Sequence, residues 1–523
     1  MIKKEEFFMK DRFADQEQWQ FPESYWLTRE IPTFSKMTDN HETQIGIIGG
    51  GIVGIMTAYL LAKSGKKVCL VEARSLLSGV TGHTTAKISA QPSLIYDKII
   101  QTFNEEQARL YYQANIDGLK LINQTSDNLQ IDCDFEVKDA TVYATTEKGA
   151  EKIKKEARAY EKLGISAVLT EGKMKTLPFN TTAALTMSGQ AQFHPVKFLT
   201  GLLNEIKRLG GLIYQDTRAV ELEDDTTVIM ENGKQLSCDT VVVASHYPFN
   251  DFNGLYFSKL SISRSYAVLV KNPHPLPEGM YISAESPTRS MRSVRADNGE
   301  QLLLIGGDSH KTGKSKSDTQ KHYHNLLTFG EEFFSTDEVV YHWSAQDMTT
   351  LDKLPYVGQM THRSPHVLVA TGFNKWGMAM GATSAKLITD IIMEQTNPYR
   401  DLLDPTRGKF KLADVKQFFI KNTTVGKDFI TSKSEQPELV PEDLLADEGG
   451  LVSVNGEKMG GYRGQDGELH LVKTTCTHMG CGLNWNNAER SWDCPCHGSR
   501  FSYKGEVLNG PAVTPLENVD PTL

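Results

Sequence analysis

The hydrophobic pattern changes period along the chain, and each change marks an element. QIGIIGGG, from Gln44, is a short apolar run ending in glycines. In the GIVGIMTAYLLAKSG that follows, Ile55, Ala58, Tyr59 and Ala62 recur at helical spacing and Gly65 supplies a stop. KKVCLVEAR then reads as a second buried strand. Strand, helix and strand within about 30 residues call for a parallel pair. Residues 147–164 and 195–210 have the period of amphipathic helices. The second opens at Pro195, turns Leu199, Leu202, Leu203, Ile206 and Leu209 to one side and stops at a glycine. TVVVAS, at residues 240–245, is a further strand. From Leu260 to Ile305, strand-like runs alternate with Pro- and Gly-containing turns, which predicts a second, more antiparallel sheet. HVLVAT, a glycine-rich turn and a helix from Gly377 to near Glu394 return to the first pattern.

The two ends behave differently. The first 40 residues are polar and aromatic without a clear period, and at most one short helix is predicted there. Between Asn397 and Glu448 lie prolines, charges and TSKSEQPELVPED, which reads as a linker. Beyond it, Asn455-Gly456 and Asp466-Gly467 are hairpin-turn signals and predict a small β domain. The predicted division is an extension over 1–43, a main unit over 44–403, a linker over 404–436 and a C-terminal domain over 437–523. No internal repeat is present.

At roughly 150 residues per domain, 523 residues make two to four domains. Hydrophobic residues at 39% and charged residues at 23% exclude a disordered or low-complexity chain. No apolar stretch approaches the ~20 residues of a membrane span, mean hydropathy is -0.37, and the N-terminus does not read as a secretory signal. A cytoplasmic protein without a membrane span is therefore expected. A net charge of -9 argues against nucleic acid as a partner. The charge is uneven, with 13 acidic and 6 basic residues from Pro437 onward. So are the seven cysteines, four of which fall within 21 residues, and clustered thiols without an export signal read first as a metal site.

Gly49, Gly51 and Gly54 form G-x-G-x-x-G between the first strand and its helix, and Glu72 ends the next strand 23 positions after the first glycine. Such glycines let the backbone approach a pyrophosphate at the helix N-terminus, while the carboxylate accepts ribose hydroxyls. A P-loop at Gly313-Lys314-Ser315 fails, because five residues rather than four separate Gly307 from Gly313. The glycines alone do not say which dinucleotide is bound.

Over about residues 44–403 the sequence resembles the D-amino-acid, glycine and sarcosine oxidase family of flavoproteins. The pieces that carry the resemblance are IGIIGGGIVGIMTAYLLAKSGKKVCLVEA, SGVTGHTTAK, GQAQFHPVKFL, VVVAS, LLLIGGD, WSAQDMTTLDKLPYVG and VATGFNKWGMAMGATSAKLI. The resemblance implies FAD, with contacts from Gly49, Gly51, Gly54, Glu72, Val220, Gly372 and Gly377. It also implies an α/β fold, a Rossmann-like FAD-binding domain with an inserted mixed-sheet substrate domain. His246 departs from it, standing where a glycine is common. Ser78 to Thr84 is similar to the segment whose histidine bonds covalently to flavin in the sarcosine and dimethylglycine dehydrogenase branch. His83 is thereby implied as a flavin contact, with covalent attachment left open.

CTHMGC, Cys476 to Cys481, is followed after twelve residues by CPCHGS, Cys494 to Ser499. A zinc ribbon needs only four of these six groups, but a C-x-H loop and a C-x-C-H loop with Gly480, Pro495 and Gly498 among them closely resemble the two loops of a Rieske [2Fe-2S] protein. The resemblance implies sulfur ligands Cys476 and Cys494, nitrogen ligands His478 and His497, and a disulfide between Cys481 and Cys496 as in the respiratory branch. Ser499 matches a hydroxyl that bonds a bridging sulfide in high-potential members, and Phe501 stands where those members have tyrosine. A potential below theirs follows, because hydrogen bonds to sulfur tune the cluster.

Arg289, Arg292 and Arg295 precede the LLLIGG strand, and Arg292 is the candidate for a substrate carboxylate. His322 with His324, and His362 with His366, have metal-pair spacing but read as ordinary loop histidines. Trp343 and Trp376 read as packing residues near the cofactor. The expected function is an FAD-dependent dehydrogenase that oxidises a C–N bond of an amine or amino acid. Electrons would pass through the cluster to an external one-electron acceptor, a protein or a quinone. The alternatives are a non-catalytic electron-transfer or redox-sensing protein, and an oxygen-using oxidase with a structural cluster.

Overall fold

The computed structural model describes residues 21–272, 274–314, 318–407, 437 and 439–520. Most of the linker expected over 404–436, and Ser315 of the rejected P-loop, lie outside the described residues.

The strand, helix and strand predicted after Gln44 are His41–Ile48, Ile52–Lys63 and Val68–Val71. The two strands pair parallel, Ile45 opposite Val68, and His41–Ile48 also pairs parallel with Gln235–Val243. An eight-stranded sheet runs in the order Tyr356–Gln359, Val367–Thr371, Gln235–Val243, His41–Ile48, Val68–Val71, Leu212–Tyr214, with the hairpin of Ala219–Glu223 and Thr227–Met230 attached through Gln235–Val243. The central strands are apolar on both faces because each face is covered: Ile45, Ile47, Val68, Leu70 and Val242 pack with helices Ile52–Lys63, Pro195–Arg208 and Gly377–Ile392 in one core, while Ile48, Cys69, Val71, Val241 and Val243 pack with Ala219, Val228 and Met230 of the hairpin in a second. Val68–Val71 is buried at every position.

The second sheet has nine strands and is mostly antiparallel, led by Val339–Thr350, Leu260–Val270, Gln301–Lys311 and Arg289–Arg295. It contains one parallel pair, Met280–Ser283 beside Glu136–Ala144, which joins segments far apart in the chain. The C-terminal domain is two four-stranded antiparallel sheets. Asn455-Gly456 is a two-residue turn with both residues at positive φ, 51° and 80°, as an Asn-Gly hairpin requires. Asp466-Gly467 sits instead in a wider loop closed by Gly464 N–H to Glu468 O, 2.8 Å.

The ends of the predicted main unit shift. Tyr25 and Trp26, in the single turn Tyr25–Thr28, are buried in the flavin-type core, and Trp26 Nε1 donates to Thr84 O at 2.7 Å. Phe21 packs against Tyr503 and Arg490 of the C-terminal domain, whereas Tyr25 and Trp26 are thus part of the flavin-type unit. Arg407 is held by Asp352 at 2.8 and 2.9 Å and stacks on Tyr356, so residues 404–407 also belong there. Among the described residues no helix is long and apolar enough to cross a membrane.

Candidate functional site

A cavity of about 580 Å³ opens where the first strand runs into its helix. Gly49, Gly51, Glu72, His83 and Gly377 line it; Gly54, Val220 and Gly372 do not. Gly54 acts one layer behind: a Cβ there would lie 1.9 Å from Gly49 O, so only glycine lets the helix approach the turn. Glu72 Oε2 accepts from Gly50 N–H at 2.7 Å and Oε1 from Arg74 N–H at 3.0 Å. A carboxylate has lone pairs to spare beyond these two bonds. The N-terminus of helix Ile52–Lys63 faces the cavity: Gly51 has no side chain to cap it, and Thr81 Oγ1 accepts from Ile52 N–H at 3.1 Å. A helix N-terminus, a glycine cradle and a carboxylate at the next strand end suit a dinucleotide pyrophosphate and ribose.

His246 shows why its departure from glycine is tolerated. Its φ is 63°, the left-handed region, and its ring Nε2 is 3.0 Å from Gln346 O. Burial lowers its pKa, so the ring is held neutral there. His83 lines the cavity with Nδ1 2.9 Å from Gly79 O, and its own carbonyl accepts from Trp343 Nε1 at 2.9 Å. Donation from Nδ1 leaves Nε2 with its lone pair. Burial pushes the His83 pKa down to about 4.

Arg292 is not at the cavity. Its Nε donates to Thr85 O at 2.7 Å, its Nη1 to Ser293 O at 3.0 Å, and its guanidinium lies over Trp26. Those carbonyls and the Trp26 ring hold the guanidinium away from the cavity lining, with Nη2 buried and without a hydrogen bond. Arg289 is likewise paired, with Asp308 at 2.7 Å, which also holds His322 at 2.6 Å. His362 and His366 are exposed. The cations that do line the cavity are Arg74, Lys87, Lys98, Arg218, Lys353 and Lys375. Lys375 donates to Ser265 Oγ at 2.6 Å. Burial, then the charges of Lys98 and Lys375, push Lys353 down to about 8. These lysines carried no sequence signal, since each comes from a different element and an isolated lysine reads as surface.

The second site lies in the C-terminal domain. Cys481 and Cys496 are joined as a disulfide, and their sulfurs lie with that of Cys494 inside 4.8 Å. The two bonded sulfurs are spent, leaving the buried thiols of Cys476 and Cys494 as possible ligands. The hydrogen bond between these thiols lowers Cys476 to about 6 and raises Cys494. The rings of His478 and His497 stand 5.2 Å apart, and both nitrogens of His478 are buried without a hydrogen bond. Two thiols and two imidazoles converging with buried, unbonded nitrogen is the donor set of a mixed cysteine and histidine cluster. Ser499 is fully buried and accepts from Ala512 N–H at 3.0 Å.

The two sites adjoin. Leu508, Asn509, Gly510, Pro511, Ala512 and Val513 of the β domain line the same cavity as the glycine turn, and Arg218 donates to Val507 O at 3.0 Å. Asn484 donates to Gly313 O at 2.7 Å, and a Cβ on Gly313 would stand 2.5 Å from the Cys494 carbonyl carbon. Thr319 bonds Asn486 and Asn487, each at 2.7 Å. Gln346, whose carbonyl meets His246, donates its amide to Gly498 O at 2.8 Å, beside His497.

Residues 44–391 match the family model of FAD-dependent oxidoreductases, and residues 435–520 match the Rieske [2Fe-2S] domain. The chain belongs to the FAD-dependent oxidoreductase family. It is, further, a member that carries a C-terminal Rieske domain, and so an oxidoreductase of FAD and a [2Fe-2S] cluster. It is 42% identical to the Rieske 2Fe-2S iron-sulfur protein YhfW of Bacillus subtilis (strain 168), over 95% of this chain and 98% of that one. It is 19% identical to gamma-glutamylputrescine oxidoreductase of Escherichia coli (strain K12), over 69% of this chain and 85% of that one. The solved glycine oxidase of Geobacillus kaustophilus shares the fold, with TM-score 0.58 and 20% identity over 71% of this chain and all of that one.

Proposed function

We propose that the protein is a dehydrogenase for a C–N bond of an amine or amino acid, in which FAD takes two electrons from the substrate and the Rieske cluster hands them singly to an external acceptor. The substrate loses two electrons and two protons as amine becomes imine.

The observation that carries this reading is the shared wall of the two sites. Residues 508–513 of the cluster domain line the cavity of the glycine turn, and Gln346 joins the His246 ring to the Gly498 carbonyl. The remaining parts are roles of this chain's own groups. Gly49, Gly51 and the helix N-terminus hold the pyrophosphate, Glu72 the ribose, and His83 and Trp343 bound the ring end of the cavity. Cys476, Cys494, His478 and His497 hold the two irons. Lys98, Lys353 and Lys375 offer positive charge to an anionic group, which favours a substrate with a carboxylate over a simple amine. That the gamma-glutamylputrescine and glycine enzymes act on amines and amino acids points the same way.

Steady-state turnover of a panel of secondary amines and amino acids tests the reading. A one-electron acceptor such as ferricyanide should support turnover without oxygen, with little peroxide formed in air. Peroxide formation at an equal rate after removal of the cluster would make the protein an oxidase. Binding of a partner protein without any turnover would make it an electron carrier.

A further inference from the structure

His478 Nε2 lies 3.2 Å from Oδ2 of Asp251, a residue of the flavin unit. Both side chains are buried, Asp251 to 1% exposure. Asp251 Oδ1 accepts from Phe257 N–H at 2.7 Å, whereas Oδ2 has no hydrogen bond. A buried carboxylate oxygen without a donor is costly to keep. An imidazole that gives Nδ1 to iron carries its proton on Nε2, and that N–H would meet this oxygen. The rings of Phe252 and Phe257 stand 5.2 and 6.2 Å from His478, and Phe257 stands 5.3 Å from His497. The histidine edge of the cluster site is thus walled by a segment of the flavin unit.

We propose that Asp251 is a positioning residue for the cluster. It accepts the outer N–H of His478 and fixes the ring for ligation through Nδ1. It also sets a negative charge beside the cluster, so that reduction, which adds another, becomes less favourable and the midpoint potential is held down. Together with Phe252 and Phe257 it closes the histidine edge, so the external acceptor is served from another face. This inference rests on His478 as an iron ligand and is independent of the amine substrate.

Asp251→Asn keeps an oxygen for Phe257 N–H and removes the charge. In an EPR-monitored redox titration of the full-length holoprotein, its ratio of oxidised to reduced cluster at a fixed potential should fall about tenfold, an upward shift of ~59 mV. FAD and iron contents should match wild type. An unchanged or lowered potential overturns the proposal. A second measurement needs no variant: diethyl pyrocarbonate followed by peptide mass spectrometry on the oxidised wild-type holoprotein. The exposed His362 and His366 should be labelled and His478 spared. Labelling of His478 as fast as His362 overturns the seal. Pulsed EPR of the reduced cluster separates the two levels. Absent histidine nitrogen coupling removes the ligand assignment itself, whereas normal coupling with an unmoved potential removes only Asp251.

Discussion

Phe501 is fully buried in the same apolar cluster as Cys476 and Cys494, opposite Trp492 on the neighbouring strand. It carries no hydroxyl to offer a cysteine sulfur. Phe501→Tyr should therefore raise the cluster potential and Ser499→Ala lower it, within the roughly -150 to +300 mV span of Rieske centres. Redox titration checks both, and a wild-type value at the top of that span contradicts the account. At the cavity, Lys353 is held down to about 8 by burial and by Lys98 and Lys375. A carboxylate ligand binds its protonated form, so affinity should be flat below about pH 8 and fall above it. Lys353→Met should weaken binding at least tenfold at pH 7 and flatten that fall, read from the ligand's perturbation of the flavin spectrum. Residues whose motif carries their chemistry were legible in sequence: Gly49, Glu72, and the clustered cysteines and histidines. Arg292 does not line the cavity, and residue type and position on a strand could not tell that its guanidinium would be drawn to Thr85 O, Ser293 O and the Trp26 ring.

At the scale of elements, the apolar pattern exposed runs that are buried along their length and bounded by glycines. The Ile52–Lys63 helix and its flanking strands appear where the pattern put them, because continuous apolar strands and a glycine-bounded helix permit little else. The parallel pairing of Met280–Ser283 with Glu136–Ala144 was not legible, since a short strand's partner is set by tertiary packing rather than by its own pattern. Tyr25 and Trp26 were invisible for a related reason, as a four-residue turn has no period to read. The helix and the turn meet closely at Gly54, where a Cβ would lie 1.9 Å from the Gly49 carbonyl oxygen. Gly54→Val should separate helix from turn and abolish FAD retention. Absorbance at 450 nm of the purified variant checks this, and full flavin content would contradict it.

At the scale of the molecule, the docked C-terminal domain was beyond the sequence, because its interface is made of residues that read as ordinary polar surface. Glu489 is an example: it is 9% exposed and lies 3.4 Å from Arg264, itself 2% exposed, across the boundary between the units. Removing one partner of a buried pair leaves the other charge uncompensated, a loss of about 3–5 kcal/mol. Glu489→Ala should therefore lower Tm by several degrees, measured by calorimetry. An unchanged Tm would mean that the pair contributes nothing to docking. Gln346→Leu removes the amide that reaches Gly498 while keeping the backbone carbonyl that meets His246.

Electrons entering at the glycine-turn cavity should pass to the Cys476–His478–Cys494–His497 site within one molecule. An anaerobic titration with a reducing amine or amino acid, followed at once by flavin absorbance and by EPR, tests it most directly. Bleaching of the flavin should be accompanied by the reduced Rieske signal, more slowly in Gln346→Leu than in wild type. Full bleaching with the cluster still oxidised, while dithionite reduces both centres, would contradict it.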